Sequence, residues 1–288
     1  MKQINIRTFK DKWNSYRKNP LSLILFLLVT LAAAITILVL AFLIVYILIK
    51  GIPNLNLDLF AWEYNTENVS MMPAIINTLI MTVISLLIAA PLGIFAAIYL
   101  AEYARRGNKL VGVIRLTAET LSGIPSIVYG LFGMIFFVFA LEWGYSLLAG
   151  AFTLAIMILP LIMRTTEEAL LSVPDSYREG SFGLGAGKLR TVFAIVLPTA
   201  IPGILAGVIL AVGRIVGETA ALLYTSGTVA AVPDSLMGSG RTLSVHMYSL
   251  TSEALYMDQA YATAVVLLVV VIAINAFSSW VAKRIKKV

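Results

Sequence analysis

Tyr177–Pro198 reads YREGSFGLGAGKLRTVFAIVLP, a charged, glycine-punctuated stretch set between two long apolar runs. Charges are expensive in hydrocarbon, so a stretch like this belongs in water while its flanks belong elsewhere. The composition says where. Of 288 residues, 60% are apolar and 12% charged, against roughly 25% charged in a soluble domain. That much apolar surface does not fit one water-soluble core, and the bilayer is the expected solvent.

Uncharged intervals mark the crossings. They are Leu21–Ile49, Val69–Ala101, Thr120–Leu141, Trp143–Met163, Thr191–Gly213 and Gln259–Ala282. The first alone makes a helix of roughly 43 Å, too long for the apolar region of a cleaved signal peptide, and reads as an anchor. Each interval can cross a core of about 30 Å, and each must be helical to satisfy its own backbone. The expectation is an all-α membrane protein of six transmembrane helices.

Lysine and arginine set the orientation. They gather before Leu21 (Lys2, Arg7, Lys10, Lys12, Arg17, Lys18), after the second span (Arg105, Arg106, Lys109, Arg115), after the fourth (Arg164, Arg178, Lys188, Arg190) and at the end (Lys283, Arg284, Lys286, Lys287). The other side carries only Lys50 and Arg241. Both termini and the Tyr177 stretch are therefore expected in the cytoplasm. The net charge of +6 follows from this asymmetry without nucleic acid as a partner. Absence of cysteine and a single histidine, His246, exclude disulfides, thiolate sites and multi-histidine metal sites. A surface or packing role is expected for His246.

Within the opening stretch, Ser172-Val173-Pro174-Asp175 is a break and Tyr177–Leu184 a short helix. Gly183, Gly185 and Gly187 interrupt it, Lys188–Val196 makes a second helix, and Pro198 and Pro202 lead into the fifth span. By patterning alone this is an ordinary structured loop or a compact knob with an exposed end.

The spacing Glu179-Gly180-Ser181, three residues, Gly185, nine residues, Ile195-Val196-Leu197-Pro198 resembles the EAA loop of binding-protein-dependent ABC transporter permeases. Gly180 and Ser181 replace the two alanines of that motif. Small size is kept, although glycine weakens a helix by about 1 kcal/mol. The stretches PLIMRTTEEALLSVPDSYREG, LPTAIPGILAGVILAVGRIVGETAAL and SGIPSIVYGLFG are similar to the phosphate transport permeases of that family. The resemblance implies a type I (MetI-like) importer fold in a bacterial inner membrane. It implies coupling to an ATPase through Glu179, Gly180, Ser181, Gly185, Ile195, Leu197 and Pro198. It also implies a second homologous permease, making a heterodimer, two ATP-binding subunits and an extracytoplasmic phosphate-binding protein. No Walker loop is present, since Gly185–Lys188 lacks the first glycine and the Ser or Thr after the lysine. ATP and Mg are thus for the partner, and this chain binds no cofactor and is not an enzyme. The expected organisation is a basic segment 1–20, a first helix 21–50, an outer loop 51–70, a five-helix core 71–282 with its coupling loop at 166–198, and a tail 283–288.

Three ionisable residues are candidates for the path. Arg214 and Glu218 sit four apart in the fifth span, so on one helix they share a face and can pair. Either they neutralise each other, or Arg214 offers its planar donor fork to phosphate and Glu218 holds it. Arg164 is either a boundary arginine or a second contact, to phosphate or to the coupling loop. Gly203 with Gly207 and Gly213 with Gly217 have small-xxx-small spacing for close helix packing. Pro91 and Pro125 are expected to kink their spans, and Trp62, Trp143 and Trp280 to lie at membrane interfaces. Two rival classes remain. A channel or secondary transporter leaves Glu179–Pro198 unused and lacks a convincing inverted repeat. A permease of the same class for another oxyanion or small solute fits the motif equally.

Overall fold

A computed structural model describes residues 19–105 and 107–285. The basic segment 1–18, Arg106 and residues 286–288 lie outside the described residues, and with them most of the terminal charge used to assign orientation. The chain divides into two compact units, Met1–Lys50 and Gly51–Val288. All regular structure among the described residues is helical.

Helix α1 (Pro20–Gly51) opens on proline, whose missing donor costs nothing at a first turn, and its one charge is Lys50 in the last turn. Thr30 and Thr36 donate their hydroxyls to the carbonyls of Phe26 and Ala32, at 2.8 and 2.9 Å. Neither hydroxyl is left unpaired in an apolar surrounding.

The second unit is built around two long helices, α2 (Met72–Ile98, continued by a π-helical turn Tyr99–Tyr103) and α5 (Leu147–Leu171). Between them the chain forms α3 (Lys109–Ser122) and α4 (Ser126–Gly133, continued by π-helical Met134–Ala140). After α5 come α6 (Asp175–Gly183) and α7 (Lys188–Thr191). A π-helical turn, Val192–Val196, joins α7 to α8 (Leu197–Gly217). The short α9 (Ala220–Leu223), then α10 (Leu243–Glu253) and α11 (Met257–Ile285), complete the unit.

Five helical stretches are long and apolar enough to cross a membrane, or six if the bent pair α3–α4 is one crossing. At that pair the expected kink at Pro125 in the third span, Thr120–Leu141, is a full break. The axes of its halves turn by 101° between Ser122 and Ser126. Pro125 has no amide to give and disfavours helical backbone at Ile124. The fourth crossing also reaches further than its uncharged interval, running on through Arg164, Glu167 and Glu168 to Leu171. Pro91 and Pro202 lie inside continuous helices, and the wider π-helical turn ahead of Pro198 accommodates its ring.

Helix α5 is the most buried of the candidate crossings. Its Leu154, Met157, Ile158 and Ile162 pack with Met81 and Ala89 of α2 and with Ala211 and Ile215 of α8. Close approach to α8 depends on glycine. A Cβ on Gly203 would meet that of Ala169 at 2.6 Å, and one on Gly207 would meet Thr165 Oγ1 at 2.0 Å. Gly213 and Gly217 have nothing within 4 Å, so only the first glycine pair serves packing within the chain. On the opposite end, Asn77 of α2 pins the segment after α9 by donating to the carbonyls of Ala231 and Arg241, at 2.9 and 3.1 Å. Trp143 stacks on Phe137 and abuts Phe152. Trp62 is exposed, and Trp280 lies against Phe277.

Candidate functional site

The opening stretch folds as two short helices around a glycine turn. Pro174 precedes α6, Asp175 stands favourably in its first turn, and the helix ends at Gly183. Gly185 has φ +83, a conformation that glycine takes without a Cβ clash, and α7 restarts at Lys188. Ser181 and Thr191 face each other, hydroxyl to hydroxyl at 2.8 Å, and both are buried. The small residue at Ser181 is thus the contact between α6 and α7. Glu179 and Gly180 are exposed, as are Tyr177, Phe182, Leu184 and Leu189. Ile195 and Leu197 are half-buried and Pro198 is exposed. Val192 and Val196 anchor the unit in a second core cluster with Ile98, Leu100, Leu170 and Val173.

Two ion pairs that sequence reasoning missed secure this end. Arg178 Nη2 lies 2.6 Å from Glu102 Oε1, with side chains 15% and 7% exposed. Its hydrogen bonds to Glu102 hold the Arg178 guanidinium above its ordinary value, against the effect of burial. Arg115 Nη2 lies 2.6 Å from Glu167 Oε1, joining α3 to α5. The available signal was position, since Glu102 ends the second uncharged interval and Arg178 adjoins Glu179. Arg178, Glu102 and Arg115 border a cleft of about 820 Å³ that Arg105, Asp175 and Lys188 also line. Arg164 is exposed, 3.1 Å from Glu168 and 3.6 Å from Glu119 of α3. It ties α5 to α3, and not to α6 or α7.

The expected Arg214–Glu218 pair does not form. Arg214 is half-buried in the last turn of α8, whereas the helix stops at Gly217 and Glu218 is extended, with ψ 129. The Glu218 carboxylate turns to the start of α9 and accepts the amide of Ala221 at 3.0 Å. Its carbonyl accepts from the Ser244 hydroxyl at 2.5 Å. A carboxylate at a helix start satisfies an orphan donor and suits the helix dipole; sharing a face with Arg214 would forgo both. Among the described residues no carboxylate lies within ion-pair distance of Arg214. Tyr129 donates to the Leu121 carbonyl at the α3–α4 bend, at 2.7 Å.

His246 is fully buried on α10 and edge-on to Tyr64. Burial, with the Arg241 charge beside it, lowers its pKa to about 3, so its role is neutral packing.

Among the described residues the arrangement holds a cation without a carboxylate partner at one end of α8 and a compact, exposed knob before its other end. Residues 89–287 match the family described as binding-protein-dependent transport system inner membrane component. The chain is 34% identical over 280 residues to the probable ABC transporter permease protein YqgI of Bacillus subtilis (strain 168), covering 89% of this chain and 93% of that one. It is 36% identical over 233 residues to the phosphate transport system permease protein PstA of Pasteurella multocida (strain Pm70), covering 80% and 82%. Its fold matches a chain of a bacterial alginate ABC transporter solved in complex with an alginate pentasaccharide-bound periplasmic protein. The TM-score there is 0.69 at 17% identity, covering 96% of this chain and 98% of that one. With its bundle of membrane-length helices and its EAA-type loop between α5 and α8, the chain belongs to the family of binding-protein-dependent transport system inner membrane components, the permeases of ABC importers.

Proposed function

We propose that this permease forms half of the translocation path of an ATP-driven phosphate importer in a bacterial inner membrane, with both termini cytoplasmic. The observation that carries the cargo is Arg214. A half-buried guanidinium without a carboxylate partner among the described residues is costly in an apolar surrounding unless an anion visits it. Its planar fork suits phosphate oxygens. Relatives named as phosphate transport permeases support the same reading.

In this reading the partners are a second, related permease, two ATP-binding subunits and an external phosphate-binding protein. Those ATP-binding subunits hydrolyse ATP with Mg; this chain binds no cofactor. Glu179, Gly180, Ser181 and Gly185 shape the knob that docks on an ATP-binding subunit, while Ile195, Leu197 and Pro198 lead its motion into α8. Exposed Tyr177, Phe182, Leu184 and Leu189 supply apolar area for that docking. Arg164, tied to Glu119 and Glu168, organises the inner end of the path, and Glu218 shapes the chain beside Arg214. ATP binding draws the knobs together and switches the path between inward- and outward-open states.

The test is uptake into vesicles containing the permease pair and ATP-binding subunits, with the binding protein outside. Phosphate uptake that needs ATP and binding protein is expected. Uptake of another oxyanion or an amino acid, with none of phosphate, would move the chain to a different cargo within the same class.

A further inference from the structure

We infer that Arg178 is the positioning residue that locks α6 to the permease core, so that a push on the knob moves α2 and α5 together. The inference deepens the reading of residues 175–198 as the coupling element and rests on it.

Helix α6 has little else to hold it. Of its residues only Ser181 is buried. Its glycines Gly180 and Gly183, and Gly185 and Gly187 beyond them, have no neighbour that a Cβ would touch within 4 Å. The chain leaves α5 through the short link Ser172–Pro174 and leaves α6 through the Gly185 turn. Apolar packing at this end comes from Val173, Val192 and Val196 on either side of α6, and little of it from α6 itself.

One side chain supplies what packing does not. Arg178 Nη2 donates to Glu102 Oε1 at 2.6 Å and to the Leu170 carbonyl at 2.9 Å. Nη1 donates to the Val173 carbonyl at 2.7 Å and to Asp175 Oδ1 at 3.2 Å. Nε also faces Glu102, at 3.2 Å. The Leu170 carbonyl belongs to the last turn of α5, where carbonyls lack helical partners and the dipole favours a cation. Glu102 stands in the π-helical turn that ends α2. A single guanidinium therefore joins the ends of the two helices that build the core, and it sits on α6. Its low exposure and that of Glu102 keep the charge-assisted bonds from being screened by salt.

This chain has no cysteine, so a spin label on Ser176→Cys, an exposed site on α6 apart from the docking residues named above, attached before the partners are added, reports the motion of α6 alone. In the assembled transporter, Glu102→Gln keeps the size of the side chain and leaves the Arg178 contacts to α5 intact. Arg178→Lys keeps the charge but loses the fan. Both are expected to mobilise the label and to lower phosphate imported per ATP hydrolysed by about tenfold, the scale of a typical coupling energy. Charge exchange, Glu102→Arg with Arg178→Glu, restores the pair without the carbonyl contacts and is expected to recover part of the ratio. A role confined to stability would lower the amount of assembled transporter and leave the ratio unchanged. An immobile label together with a normal ratio in Glu102→Gln would overturn the inference. Absence of ATP-dependent uptake by the unaltered transporter would instead count against the coupling reading, while label mobility would still decide whether Arg178 locks α6.

Discussion

Gly207→Ala is expected to force α8 away from α5. The added Cβ would lie 2.0 Å from Thr165 Oγ1 and 2.7 Å from Thr165 Cβ. The hydroxyl is held by the carbonyls of Leu161 and Ile162, at 2.9 and 3.2 Å, and the Cβ moves only with the α5 backbone. Ordinary contact begins at 3.4 Å, so even if the hydroxyl swings aside the helices must separate locally by roughly 0.7 Å, the difference between 3.4 and 2.7 Å. Overpacking of this kind costs about 1–3 kcal/mol. Alanine returns about 1 kcal/mol over glycine within a helix, which leaves a net loss of up to about 2 kcal/mol. Gly213 is the internal control, since nothing lies within 4 Å of its Cβ position. Gly213→Ala should keep the helix gain alone, so the two variants should differ by about 1–3 kcal/mol. Unfolding of the purified permease in mixed micelles, followed by loss of helicity as the SDS fraction rises, reads that difference. Adding Thr165→Ala to Gly207→Ala removes the oxygen but not the Cβ and should recover only part. If Gly207→Ala and Gly213→Ala unfold together, α5 and α8 do not approach as described.

Valine at Gly185 would have to adopt φ +83, which costs about 1–2 kcal/mol. The variant is expected to assemble yet lose stimulation of the ATPase by the loaded binding protein; full stimulation would remove this turn from the coupling path. Because Glu218 binds the Ala221 amide and not Arg214, neutralising each residue should have separate effects on uptake per assembled complex. Arg214→Gln should abolish uptake, Arg214→Lys should recover it in part, and Glu218→Gln, which keeps an acceptor for the amide, should spare most of it. Normal uptake by Arg214→Gln would reduce Arg214 to a structural residue. His246 has a folded pKa of about 3 and an unfolded value near ~6.5, so in that window the unfolded chain binds the extra proton. Stability from this group is full above pH ~6.5 and falls by about 1.4 kcal/mol per unit as pH drops towards the folded value. His246→Phe should flatten that slope in unfolding measured between pH 7 and 5, and an unchanged slope would show that the ring is not buried neutral.

Crossing segments were legible because hydrophobic length is a one-dimensional property, visible wherever charges are missing. The knob was legible for a similar reason, with its glycines and small Ser181 at fixed spacing along the chain. What escaped was whatever depends on partners remote in sequence. Arg178 reaches Glu102 across 76 positions, and Arg115 reaches Glu167 across 52. Uncharged length also hid the α3–α4 bend, because Pro125 is compatible with a mild kink or a full break and only the packing around it decides. Four-residue spacing misplaced Glu218 by assuming that the helix continues. Gly217 and the waiting amide of Ala221 end it one residue earlier.

The bend between α3 and α4 also bears on how the chain enters the membrane. Residues 126–140 span roughly 22 Å at 1.5 Å per residue, short of a hydrocarbon core of about 30 Å. Helix α3 carries Lys109, Arg115 and Glu119 and adds little apolar length. Two positions of α4 are bare glycine, held against later parts of the chain. A Cβ on Gly130 would lie 2.7 Å from Ala221 Cα, and one on Gly133 would lie 2.2 Å from Thr153 Oγ1 and 2.7 Å from Thr225 Cγ2. Ala221, Thr153 and Thr225 all follow α4 in the chain, so the seat that these two glycines fit is completed only once α5 and the chain through Thr225 have been synthesised.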